Sequence, residues 1–175
     1  MIIKKIFFIF LTAGGLILIF LQLNKTQQDK VQFAPTAGPI LIENESVDYK
    51  ATLAIFTNGT FRVFTNAMYH NLSPDVFIQA DNPNQVNVKK RGLTWGQFFA
   101  TLPFKLSKDC LTTGTGETFC SKGANSLKFY LNGQKSDDLL QKEIKENDKV
   151  LVNFGSGSEE EIQNQHLKLN EINEK

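Results

Sequence analysis

The chain reads as an α+β domain: a mixed or antiparallel sheet with one short helix laid on one face. Three observations predict it. The first is a short helix with marked ends between Arg91 and Pro103. The second is a pair of Asn-Gly turns, Asn58-Gly59 and Asn132-Gly133, each set against apolar runs. The third is a closing apolar run, Asp148 to Gly155, that reads as a last strand.

The helix carries its own punctuation. Thr94 is a candidate N-cap, and Gln97, three residues on, completes a capping box. Trp95, Phe98, Phe99 and Leu102 fall at i, i+3, i+4 and i+7, one apolar stripe. Pro103 cannot continue the hydrogen-bond ladder. So short a helix needs a surface to lie on, and the surrounding strands supply it.

Before the helix, Ala51 to Thr65 reads as a hairpin, with Leu53, Ile55, Phe61 and Val63 alternating around Asn58-Gly59. Val76 to Ala80 is a short strand, Asp81 to Asn84 a turn, and Gln85 to Lys89 a half-exposed strand. After Pro103 the chain loops as far as Cys120. Ser126 to Leu131 is a strand, and Asp137 to Lys145 holds a short helical turn. From Ser156 on, Gly, Ser and Glu dominate. Ile162, Leu169 and Ile172 hint at a helix there, and a solvated polar tail over 156–175 is the reading adopted.

The N-terminus differs from the rest. Lys4 and Lys5 precede an uncharged run, Ile6 to Leu23, rich in Ile, Leu and Phe. Eighteen residues at about 1.5 Å each span about 27 Å, close to a bilayer core. The expectation is a single transmembrane anchor over 1–23, its lysines cytoplasmic, a tether over 24–47 and an extracytoplasmic domain over 48–155. A cleaved signal peptide is the rival. It wants a small-x-small site, which Phe20-Leu21-Gln22-Leu23-Asn24-Lys25 does not offer. Either reading sends the domain outward.

Charge is nearly balanced, Lys+Arg 19 against Asp+Glu 18, which argues against a nucleic-acid binder. The implied partners are the membrane, through the N-terminal helix, and another envelope protein.

Two cysteines are too few for a four-thiolate zinc site. Outside the membrane, two cysteines in one small domain usually pair, and closing the Cys110–Cys120 loop would stabilise the fold by roughly 2.5–3 kcal/mol. A redox-active pair and free thiols are the alternatives. Thioredoxin-type chemistry wants Cys-x-x-Cys at a helix N-terminus, where the dipole lowers a thiol pKa. Here the spacing is wide and no capped helix opens at Cys110. Gly114-x-Gly116, inside the loop, lacks the flanking strand and lysine of a phosphate loop.

His70 is the one histidine between 48 and 155, and it reads as structural, with Asp75 or Asp81 as weak metal partners. His166 reads as solvated. Lys89-Lys90-Arg91 reads as a solvated strand end, with anionic lipid headgroups as the rival contact. Trp95, Phe98 and Phe99 read as core rather than as a pocket. Asn58-Gly59-Thr60 and Asn71-Leu72-Ser73 match the glycosylation pattern and read as plain turns. No Ser/His/Asp set stands out, and no cofactor is implied.

Hairpin, helix and returning strand pair, closed by Asn147-Asp148-Lys149-Val150-Leu151-Val152, resemble the β-grasp (ubiquitin-like) fold. Residues 66 to 155 also resemble a group of uncharacterised small membrane-anchored proteins of bacteria and archaea. The shared residues are Gly92-Leu93-Thr94-Trp95-Gly96-Gln97-Phe98-Phe99, Cys110 with Cys120, Leu127-Lys128-Phe129-Tyr130-Leu131-Asn132-Gly133, and Asp148 to Gly155. Some members carry a protein-disulfide isomerase label, so the resemblance implies a thiol–disulfide oxidoreductase using Cys110 and Cys120 as an alternative function. Members also place His-x-His pairs on the two strands before the helix. Here those positions are Met68 and His70, then Asn87 and Lys89, which implies a degenerate metal site with His70 alone remaining. The expected function is a non-catalytic binding or interaction domain stapled by Cys110–Cys120.

Overall fold

Strand β1, Ser46–Thr57, is the axis of the sheet. The computed structural model describes residues 45–173. From Ala51 to Thr57 every residue of β1 is buried, so both faces of the strand are covered. Leu53 and Ile55 point into one apolar cluster, and Ala54 and Phe56 into a second on the other side.

A seven-stranded mixed sheet forms around it. β1 pairs antiparallel with β4 (Gln85–Lys90) through its first half and with β2 (Thr60–Arg62) at its end. Along its other edge it pairs parallel with β10 (Lys149–Gly155), Leu53 beside Val150 and Ile55 beside Val152. β3 (Val76–Phe77) lies outside β4. Outside β10 comes β8 (Ser126–Leu131), then β9 (Gln134–Lys135). A parallel pair cannot close through a tight turn, so the chain between β1 and β10 carries the other strands of the domain and its first helix.

Both Asn-Gly turns form as expected. Asn58 and Gly59 take φ +49° and +76°, Asn132 and Gly133 +52° and +82°, the doubly positive geometry that matches strand twist. The hairpin is shorter than the alternation suggests. Phe61 opposes Phe56 and so faces the second cluster, while Val63 lies beyond β2 and is exposed.

Helix α1 is Trp95–Thr101. Thr94 Oγ1 accepts from the Gln97 amide at 3.2 Å, and Gln97 Oε1 accepts from the Thr94 amide at 2.8 Å. A cap of this kind contributes about 1 kcal/mol. Trp95, Phe98, Phe99 and Leu102 are all buried in the first cluster, against Leu53, Ile55, Val86, Val88 and Val152. A 3-10 turn at Leu139–Gln141 packs beside α1, and the Trp95 amide donates to the Lys142 carbonyl at 3.0 Å.

Three expectations are corrected. The loop after Pro103 is a small three-stranded sheet of β5 (Lys105–Leu106), β6 (Cys110–Thr112) and β7 (Thr118–Cys120), with Leu111 and Phe119 buried. Among the described residues one helix becomes two: within the expected tail, helix α2 spans Glu159–Asn173 and covers the second face. Ile162 and Leu169 pack there on Ala54, Phe56 and Leu151, and buried Gln165 accepts from Asn153 Nδ2 at 2.9 Å. His166, expected in solvent, is half-buried with Tyr130 edge-on to it, ring centroids 5.1 Å apart.

The anchor expected over 1–23 and the tether as far as 44 lie outside the described residues. Among the described residues no helix is long and apolar enough to cross a membrane.

Candidate functional site

Cys110 and Cys120 form a disulfide, as the compartment argument expects. They sit directly opposite each other on β6 and β7. At the other end of the hairpin the turn closes tightly: the Thr113 amide donates to the Glu117 carbonyl at 2.8 Å, and the Gly116 amide to the Thr113 carbonyl at 2.9 Å. Leu111 and Phe119 point inward, Phe119 lying 5.2 Å from the Phe154 ring. A hairpin of three residue pairs is too short to hold itself, so the disulfide and those two apolar anchors fix it on the core.

That turn forms one lip of a cleft of about 260 Å³. Ile55, Phe64, Phe104 and Leu111 make its floor, and Tyr69 stands at the side, edge-on to Phe64 at 5.3 Å. The opposite lip is β2 and its continuation, Thr60 to Val63. Gly114 lets the turn lie close against Tyr69 and Pro103. A Cβ there would lie 2.9 Å from Tyr69 Oη and 3.1 Å from the Pro103 carbonyl oxygen. Val63 and Met68 are exposed beside this apolar floor, at 59% and 38%.

Arg62 is the charged side chain in the cleft wall. Its Nε donates to Thr57 Oγ1, its Nη2 pairs with Glu117 at 3.3 Å, and its guanidinium carbon lies 5.2 Å from the Phe119 ring centre. Thr57 is 1% exposed, so the side chain is tied to the core at one end. Two other hollows, of about 340 and 350 Å³, flank α2. Charged and amide side chains line them beside apolar ones: Glu160, Glu161 and Asn164 with Phe56 in one, Asn132, Lys149, His166 and Asn170 with Leu169 in the other.

The other candidate residues are scattered. His70 Nε2 lies 2.7 Å from the Phe64 carbonyl oxygen, a bond within the chain after β2, and a separate backbone bridge joins His70 to Ile78, next to β3. Met68 is in a 3-10 turn, Asn87 Oδ1 accepts from Gln85 Nε2, and Lys89 pairs with Asp48. That lysine hydrogen bond holds the Asp48 carboxyl below the usual range. Arg91 pairs with Glu45 at 3.0 Å, so two of the three basic residues at 89–91 meet carboxylates. Trp95, Phe98 and Phe99 are core, at 0–2% exposure. Among the described residues no group of three His, Cys, Asp or Glu is placed to hold a metal ion.

The cleft was not found from the sequence. Its walls come from β1, β2 and the chain after it, Phe104 and the β6–β7 hairpin. The local hint was a glycine-containing loop bracketed by cysteines, which says that a turn is held but not what it faces. No family model, curated protein or solved structure matches this chain.

Proposed function

We propose that the domain is a β-grasp-type binding module whose ligand seats in the cleft between β2 and the disulfide-closed β6–β7 hairpin. The fold reading is supported by the strand order. β1 and β10 lie parallel at the centre, β2 and β4 flank one side, the β8–β9 hairpin flanks the other, and α1 lies in the connection. The binding reading is carried by one observation, an apolar cleft with Arg62 in its wall, the guanidinium of that residue held by Thr57. Lys4, Lys5 and the run to Leu23 support an outer location for this module, held at the membrane and meeting ligands or another envelope protein there.

Methyl NMR on the full chain in lipid nanodiscs, titrated with a fragment library, tests it. Shifts are expected at Ile55, Val63, Met68 and Leu111. Hits confined to the hollows beside α2, or none, would remove the cleft from consideration.

Thiol–disulfide exchange is the second reading, favoured by the exposure of Cys120. Against it, the bond joins opposed strands, and among the described residues neither cysteine stands at a helix N-terminus that would lower a thiol pKa. Redox titration with thiol trapping decides. A structural bond is expected below about −300 mV. A value of about −120 to −200 mV, with one thiol reacting much faster, would make the hairpin the active site.

A further inference from the structure

We infer that the cleft takes a small apolar carboxylic acid, an aromatic ring or short branched chain bearing one carboxylate, with Arg62 binding the carboxylate. This rests on the reading of the cleft as a binding site.

Charge comes first. Of the side chains lining the cleft, Arg62 is the charged one, and the rest are apolar or hydroxyl-bearing. An anion is the complement of such a site. Geometry comes next. Thr57 takes Nε, and the Phe119 ring lies beside the guanidinium, so the group is oriented before a ligand arrives. Little rotamer freedom is then lost on binding. With Nε occupied, Nη1 and Nη2 remain as a donor pair suited to two carboxylate oxygens. Nη1 has no hydrogen-bond partner among the described residues, and Nη2 holds one oxygen of Glu117.

Glu117 shows that a carboxylate fits against this guanidinium. It is also the group a ligand would displace. Its side chain is 56% exposed and its contact is long, at 3.3 Å, and exposed pairs of this kind contribute little. An incoming acid makes the same pairing and also buries its body on Phe64, Phe104 and Leu111. A volume of about 260 Å³ suits one ring or a short chain, which favours a free acid over a length of peptide.

The test compares 4-phenylbutyrate with 4-phenylbutanamide, the same body without the charge, on the full chain in nanodiscs, read by the Ile55, Val63 and Leu111 methyls. The acid is expected to bind about tenfold tighter than the amide. Arg62→Gln should bring the acid down to the amide's affinity. Glu117→Gln, a change on an exposed side chain, should tighten the acid and leave the amide unchanged. It keeps the idea testable if Arg62→Gln unfolds. Equal binding of acid and amide, or an acid indifferent to both substitutions, overturns the carboxylate inference and leaves the cleft standing. Failure of both probes and of the fragment library removes the cleft as well.

Discussion

Phe98→Ala is expected to cost about 3–5 kcal/mol of stability, a large share of the roughly 5–15 kcal/mol that holds a domain of this size. Phe98 is 0% exposed, and its ring sits 5.3 Å from Phe99 and 6.0 Å from Trp95. All three contact the strands that carry Leu53, Val86 and Val152. The cost arises because α1 has seven residues and cannot survive as a helix without packing. Its capping box sets where the helix starts, at about 1 kcal/mol, but the rings decide whether it forms. Urea unfolding followed by Trp95 fluorescence measures it. A loss below about 1 kcal/mol would mean that the site collapses freely and that α1 is not the keystone of the first core.

α1 was legible because its information is local. Thr94, Gln97, the ring stripe and Pro103 lie within ten residues, and each acts on its own neighbours. The same holds for Asn58-Gly59 and Asn132-Gly133, where backbone conformation follows from residue type. The three-stranded sheet was not legible, since strands of two or three residues are too short to show a period. The cleft was hidden for a different reason: Ile55, Phe104 and Thr113 meet only after the sheet has closed. Of the site residues read from sequence, Cys110 and Cys120 staple the hairpin at the end away from the cleft, and His70 supports the backbone of Phe64, which lines it. Arg62, the residue with the most chemistry to offer, sat unremarked in a hairpin.

α2 was missed because its buried stripe contains a polar residue. Ile162, Gln165 and Leu169 fall at i, i+3 and i+7, but Gln165 looks like surface until Asn153 is placed opposite it. So narrow a stripe concentrates the docking energy, and Leu169→Ala, at 1% exposure, is expected to cost about 2–5 kcal/mol and release the helix. Leu167→Ala, the same change at 61% exposure, should leave it docked. Acid acts on the same joint. Burial pushes the His166 imidazole below its ordinary value of 6.5. It faces Tyr130 on β8, whose phenol burial pushes up and Lys135 pulls down, and it shares a hollow with Lys149 of β10. Asp148, next in sequence to Lys149, accepts from Asn132 and the Lys145 amide, and no carboxylate lines that hollow. The released helix therefore takes the proton more readily than the docked one, so docking is intact above pH 6.5 and weakens as pH falls below it. Hydrogen-exchange protection of the α2 amides, compared at neutral and mildly acid pH, should fall in acid while that of β1 and β10 holds. His166→Phe, which keeps a ring against Tyr130 without a proton site, should flatten the pH dependence. If protection in that variant still falls with acid, another group controls the joint.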